Sequence, residues 1–306
     1  LLINVMEGKR IMTKDQVLLL LKEEKDYISG ETMSQKIGVS RAAIHSAVKK
    51  LRAEGYEIVS ATNRGYRLEK SADCLTTGEI CSFLKKEREA EIIYFEQTDS
   101  TNTRLKELAQ NGAKEGTVVV ANEQSAGRGR LGRNFTSGKD AGIYMSVLFR
   151  PQSGLNQISE ITAWISVCVS RAIERVTGER PGIKWVNDIV MKGKKICGIL
   201  TEMAMEGESG YIQYLIAGIG INVHYKISDF PAELQNKASS LDEVLGKTVN
   251  RAELTAAIIE ELDVMYTKWP DQKEEYLKYY RDACITTQKQ VRLLKGKEEK
   301  FGTALE

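Results

Sequence analysis

A chain of 306 residues, 42% hydrophobic and 28% charged, has the material for two or three soluble domains, and no apolar run in it is long enough to span a bilayer. Its two histidines, His45 and His224, and five scattered cysteines without Cys-x-x-Cys spacing argue against a zinc site, a Ser-His-Asp triad or a disulfide framework; isolated buried thiols in a reducing cytoplasm are expected. The net charge of +2 hides an asymmetry, because residues 1–70 hold 13 Lys/Arg against 9 Asp/Glu while the remainder holds 31 against 33, so a polyanion partner is expected for the N-terminal part alone.

The opening Leu1-Leu2-Ile3-Asn4-Val5-Met6 is too short for a signal-peptide core, and the lack of an initiator Met implies upstream residues or a start at Met6 or Met12. Thr13-Lys14-Asp15-Gln16 reads as a capping box, followed by a helix with Val17, Leu18, Leu20 and Leu21 on its apolar face. A second helix is expected from Gly30 to Ile37, then a tight turn at Gly38-Val39 and a third helix capped by Ser40. Ile44, Val48 and Leu51 form the buried stripe of that third helix, opposite Arg41, His45, Ser46, Lys49, Lys50 and Arg52, and Gly55 stops it. Glu57–Ser60 and Tyr66–Leu68, joined by Thr62-Asn63-Arg64-Gly65, read as a β-ribbon. This order is that of a winged helix-turn-helix domain over residues 1–70, with Arg41, His45, Lys49, Lys50 and Arg64 as candidate DNA contacts. The competing reading is a small helical interaction domain with solvated lysines. The modest charge suggests that affinity needs a dimer on two half-sites.

After a linker near Glu69–Thr77, Thr76 opens a short helix, Ile92–Phe95 reads as a strand, and Asp99-Ser100-Thr101-Asn102 starts a helix to about Gln110, ended by Gly112. The strand Thr117–Ala121 runs into Arg128-Gly129-Arg130-Leu131-Gly132-Arg133, and a further strand, Gly142–Phe149, follows. Next come a long helix over roughly Ile158–Thr177 and strands at Gly182–Trp185, Ile189–Met191, Lys195–Met203 and Tyr211–Val223. Turns at Lys192-Gly193 and Gly207–Gly210 suggest antiparallel hairpins, and two helices follow, one capped by Asn250. The fold class is α+β, a mixed sheet backed by helices.

Three guanidiniums on a glycine-loosened backbone suit an anionic small molecule. Gly127-x-Gly129-x-x-Gly132 matches the dinucleotide fingerprint literally, but that fingerprint must open a helix in a βαβ unit, and a strand follows here. A Walker A loop fails on spacing. A solvated basic loop is the plainer alternative. Lys184-Trp185-Val186-Asn187-Asp188 puts a cation beside polar groups at a sheet edge, although alone it reads as an ordinary turn. Gly218 and Gly220, alternating in an apolar strand, indicate close backbone approach to a neighbouring helix or to a ligand.

Together Asp99–Asn102, Gln124–Arg133, Lys184–Asp188, Gly198-Ile199-Leu200-Thr201-Glu202 and Gly218–Asn222, in this order behind a winged helix-turn-helix, resemble the bifunctional biotin–protein ligases that repress biotin operons. The family usually has proline where Val186 stands. The resemblance implies a class II synthetase-like catalytic domain over residues 71–284 and a small SH3-like barrel from 285. Gln290–Leu294 and Lys300–Ala304 would be the barrel's opening strands, and the chain reaches only Glu306. It implies a cytoplasmic biotin–[biotin carboxyl carrier protein] ligase using ATP and Mg²⁺, with a carrier domain, operator DNA and, when adenylate-bound, a second copy of itself as partners. Lys184, Arg128 and Arg130 would be catalytic. Ser100, Thr101, Asn102, Gln124, Arg128, Gly129, Arg130 and Lys184 would hold biotin. Arg130, Arg133, Phe135, Asn187 and Asn222, with Asp188, would meet ATP and its metal, for which no firm protein ligand stands out. A lipoate-ligase relative and a biotin-sensing transcription factor with weak or no ligase activity are the alternatives.

Overall fold

The computed structural model describes residues 12–151, 160–205, 211–295 and 298–305. Among them the two largest hydrophobic cores share no residue. The smaller belongs to the N-terminal module. Helix α1 (Thr13–Glu23) buries Val17, Leu18, Leu20 and Leu21. The expected capping box is not formed: the cap position is Met12, no side chain closes the first turn, and Asp15 is buried against Gly78 instead of facing water. Helix α2 (Gly30–Ile37) ends at Gly38, whose φ of 77° is the left-handed conformation that glycine adopts freely. Ser40 caps α3 (Arg41–Ala53) by accepting the Ala43 N–H at 3.2 Å, and Ile44, Val48 and Leu51 turn inward. The ribbon β1 (Glu57–Ala61) and β2 (Gly65–Lys70) is antiparallel.

A short helix, α4 (Thr77–Cys81), packs against α1 and makes the seam between the two modules. Glu79 is fully buried there, receiving the Lys22 ammonium at 2.5 Å and the Tyr56 hydroxyl at 2.8 Å. Burial raises the pKa of the Asp15 carboxyl, whose Oδ1 has no hydrogen-bond partner.

The larger module is a seven-stranded sheet in the order β3-β4-β5-β9-β8-β7-β6. Strand β3 (Ile92–Phe95), helix α5 (Thr101–Gln110) and strand β4 (Val118–Ala121) form a βαβ unit with parallel strands. The other pairings, through β5 (Gly142–Phe149), β6 (Gly182–Lys184), β7 (Asp188–Met191), β8 (Lys194–Met205) and β9 (Ile212–Asn222), are antiparallel. Strand alternation sorts the side chains. Val118, Val120, Val147 and Phe149 join the core with α6 (Ile161–Thr177) and α8 (Arg251–Lys268), while Val119 and Leu148 pack with Leu105 and Ala109 of α5 on the opposite face. Ile158 and the turn expected at Gly207–Gly210 lie outside the described residues, as does the segment Leu1–Met6.

Among the described residues three α-helices, not two, follow the sheet. Short α7 (Leu241–Leu245), capped by Ser240, precedes α8, and α9 (Lys273–Ala283) comes after it. Strands β10 (Gln290–Lys295) and β11 (Glu298–Thr303) form their own antiparallel hairpin. Cys168 and Cys197 are buried as expected, but Cys74, Cys81 and Cys284 are only partly so. No helix among the described residues is long and apolar enough to cross a membrane.

Candidate active site

Register builds the floor of the site. Ser146, Gly218 and Leu200 pair across β5, β9 and β8, and Tyr144, Gly220, Gly198, Asp188 and Lys184 form the neighbouring row across to β6. The residues of these two rows therefore share one face, over a cavity of about 690 Å³, within the size range of small-molecule sites. The alternating glycines serve close approach to protein. A Cβ on Gly218 would lie 2.3 Å from the Asn102 Oδ1, and one on Gly220 would lie 2.6 Å from the Phe135 ring.

At the β5–β9 side the N-terminus of α5 delivers a buried polar cluster. Gln124 Oε1 accepts from the Thr101 N–H at 2.8 Å and from its hydroxyl at 3.1 Å, and Gln124 Nε2 donates to Ser137 Oγ at 2.9 Å. Ser146 Oγ bridges Thr101 and Asn102 at 2.8 and 2.6 Å, and Asn102 Nδ2 donates to Glu202 at 2.6 Å. Ser100, at the cap position of α5, is 4% exposed. Thr101, Asn102, Gln124 and Ser146 are each held by another polar side chain, so together they present a fixed pattern of donors and acceptors.

The Arg/Gly loop joins antiparallel strands β4 and β5 and contains a single short 3₁₀ turn, Arg130–Gly132, so the dinucleotide fingerprint is absent as expected. The Gly129 N–H donates to Arg133 O at 2.7 Å and the Phe135 N–H to Gly127 O at 2.9 Å, folding the loop into a miniature hairpin with Leu131 88% exposed at its tip. Gly127 has no room for a side chain, because a Cβ would lie 2.4 Å from Phe135 O. The three arginines differ in what they meet. Arg128 reaches Glu202 at 3.2 Å and Thr103 at 3.3 Å, Arg130 donates to Asn187 Oδ1 at 2.9 Å, and the Arg133 guanidinium has no partner among the described residues.

Lys184, exposed on the cavity wall, likewise has no partner among the described residues. A second ammonium, Lys195, lies over Gly198 and 2.6 Å from Asp188. Sequence reasoning missed it, although the hairpin turn at Lys192-Gly193 folds Lys195 back towards Asp188. Glu202 closes the Gly198–Glu202 motif, and its place two residues on from Leu200 on the same face is the signal that puts it at the site. Asn187 donates to Ile199 O at 2.7 Å and Asn222 to Ser239 O at 3.1 Å. Asn187 is thus engaged through both its amide groups and Asp188 through one oxygen, whereas Asn222 is engaged through its amide nitrogen alone. Phe135 packs on Gly220 and Gly198, at the cavity floor.

In the N-terminal module Arg41, His45, Lys49 and Lys50 are exposed along α3. Arg64 sits apart from that row, with Nη2 2.9 and 3.0 Å from the two Asp26 oxygens and its guanidinium 4.3 Å from the Tyr27 ring centroid.

Residues 94–222 match the biotin/lipoate A/B protein ligase family, and residues 13–67 match an HTH domain. The chain is 40% identical over 242 residues to the bifunctional ligase/repressor BirA of Bacillus subtilis, covering 79% of this chain and 74% of that protein. It is 26% identical over 287 residues to the Escherichia coli protein of the same name, covering 93% and 87%. The solved biotin protein ligase from Aquifex aeolicus in complex with biotin and ATP is similar with a TM-score of 0.60 and 29% identity, over 71% of this chain and 87% of that one. The chain belongs to the biotin protein ligase family and carries the helix-turn-helix module of its bifunctional ligase/repressors.

Proposed function

We infer that the protein is an ATP-dependent biotin protein ligase that also binds operator DNA as a repressor. One observation supports this most strongly. A single cavity holds a fixed neutral polar cluster (Thr101, Asn102, Gln124) on its β5–β9 side and the cations Lys184, Lys195 and Arg130 on its β6–β8 side. That polarity fits a ligand with a ureido head and a carboxylate tail.

A carboxylate oxygen of biotin attacks the α-phosphorus of ATP, the bond to pyrophosphate breaks, and biotinyl-5′-adenylate forms. A neutral lysine amine of a carrier domain then attacks the acyl carbon. AMP leaves with the C–O electron pair, the amide forms and the amine's proton passes to solvent. No general base is needed for the first step, since the carboxylate is already ionised. Catalysis is positioning and charge stabilisation. Lys184 is assigned to the reacting carboxylate and phosphate, with Lys195 and Arg130 beside it. Arg128, tied to Glu202, is assigned to holding the loop over the ligand. Arg133 meets the phosphates, and Ser100, Thr101, Asn102 and Gln124 the ureido ring. Mg²⁺ would neutralise charge on the triphosphate and would be held chiefly by the nucleotide's own oxygens, because the two carboxylates of the site, Asp188 and Glu202, face Lys195 and Arg128.

The domain assignment, 1–70 for DNA, 71–284 for catalysis and 285–306 as the opening hairpin of an SH3-like barrel, belongs to this proposal. So do a cytoplasmic setting and a homodimer, in the adenylate-bound form, that offers two α3 helices to two half-sites. Biotin-dependent ATP–pyrophosphate exchange tests the assignment. Lys184→Ala is expected to lower exchange at least about a hundredfold, the size of effect seen when one charge-stabilising donor is lost, with an unchanged melting temperature. Near-parental exchange in that variant removes Lys184 from the mechanism.

A further inference from the structure

One buried guanidinium gathers three segments that are distant in sequence. Arg251, at the start of α8, is 0% exposed. Its Nε donates to Asp73 Oδ2 at 2.9 Å and its Nη2 to Asp73 O at 3.0 Å. Its Nη1 donates to Asn122 Oδ1 at 3.0 Å and to Gly142 O at 3.2 Å. Asn122 directly follows β4 and Gly142 opens β5, so these are the two stems of the segment that carries the Arg/Gly loop. Asn122 Nδ2 closes the stems further by donating to Asp140 Oδ1 at 2.8 Å. Asp73 lies in the linker between β2 and α4, the connection to the DNA-binding module.

A second path meets the same carboxylate. His224 Nε2 is 2.8 Å from Asp73 Oδ2, and its Nδ1 is 2.7 Å from Asp242 Oδ2. Its backbone N–H donates to Ala141 O at 2.9 Å, again on a loop stem, and it stands two residues beyond Asn222 of the cavity wall. Both stems of the ligand-binding loop and the end of β9 therefore reach the linker through one side chain. A buried charge cannot surrender its partners without a large penalty, so Arg251 carries displacement from one segment to the others.

We propose that Asp73 is the positioning residue that couples occupancy of the Arg/Gly loop to the setting of the DNA-binding module. This rests on the ligase/repressor reading. Ligand that orders the loop fixes the stems, the stems fix Arg251, and Arg251 with His224 fixes the linker. The coupling is reciprocal, as any thermodynamic linkage between two sites must be: operator DNA tightens adenylate binding by the factor by which adenylate tightens operator binding.

The full chain is compared with Asp73→Ala and, should that variant fold poorly, with Asp73→Asn and His224→Gln. Operator affinity is measured by fluorescence anisotropy with and without biotin plus ATP, alongside biotin transfer to a carrier domain and affinity for biotinyl-adenylate with and without operator. In the parent, ligand is expected to tighten operator binding by about 5–150-fold, the ordinary span of allosteric coupling. The variants are expected to bring that factor close to one in both directions while transferring biotin within about twofold of the parent. A variant that keeps the parental factor overturns the proposal. A parent that transfers no biotin, or whose operator binding ignores ligand, overturns the ligase/repressor reading and the proposal with it. A general loss of stability would raise the factor, because ligand would also refold the chain, so it does not mimic the expected result.

Discussion

Replacing Gly218 with alanine separates a role in packing from a role in ligand recognition. The added Cβ would lie 2.3 Å from Asn102 Oδ1 and 3.0 Å from its Cγ, so the Asn102 amide must move by roughly an ångström to regain van der Waals contact. It has little freedom to do so. It is 4% exposed, accepts from Ser146 at 2.6 Å and donates to Glu202 at 2.6 Å. Overpacking of this kind costs about 1–3 kcal/mol. Stranding one of the two hydrogen-bonded partners adds a similar amount. If Asn102 also meets the ureido ring, a displaced amide loses a recognition hydrogen bond of about 1–3 kcal/mol, or roughly 5–150-fold in biotin KM. Pyrophosphate exchange titrated with biotin and with ATP, beside thermal unfolding, is the assay. We expect the biotin KM to rise by at least about fivefold while the ATP KM stays within about twofold. A lowered melting temperature with an unchanged biotin KM would refute the reasoning and leave Gly218 as a packing residue only.

Three further outcomes are expected. Lys49→Ala with Lys50→Ala should weaken operator binding uniformly across sequences and reduce the slope of log K against log salt by about 1 per lysine; an unchanged slope would take α3 away from the phosphates. Burial disfavours the charged form of His224, but Asp73 and Asp242 on its two ring nitrogens prevail and hold its pKa above the usual 6.5. Its contribution to stability is therefore complete below pH 6.5 and is lost as pH rises through the raised folded value. Asp73, held below the usual 3.8 by His224 and Arg251 against its own burial, contributes above 3.8 and loses that contribution as pH falls through its lowered folded value. His224→Gln should flatten the melting-temperature profile above pH 6.5, and a variant profile parallel to the parent's would contradict this. Finally, trypsin cleavage at Arg128–Arg133 should slow when biotin and ATP are present, because loop closure removes the exposed tip around Leu131; equal rates would oppose closure.

Local signals in the sequence were enough for most of the elements. Ser40 and Gly38 act within a few residues of themselves, and the structure uses them as read. Thr13 fails as a cap because the first turn of α1 packs on α4, and Asp15, more than sixty residues from Gly78, is buried by a contact that periodicity cannot register. The same limit governs the site. Gly218 and Gly220 announced close approach, but whether Asn102, Phe135 or a ligand approached was settled only by strand register. Nor could the sequence show that Arg128 meets Glu202 and Arg130 meets Asn187, since both partners come from distant strands and turns. Lys195 was hidden behind a more conspicuous motif, because its value depends on a hairpin pairing and not on its neighbours in sequence.

The seam between α1 and α4 has a consequence of its own. Glu79 meets Lys22 and Tyr56 there, and the two hydrophobic cores on either side share no residue. Modules joined by charge and hydroxyl present wettable faces when parted, whereas modules joined by leucine would present adhesive ones. The DNA-reading end can thus be lost, gained or re-angled by a few polar substitutions without exposing either core. A joint of this composition keeps the enzyme intact while its control apparatus is remodelled.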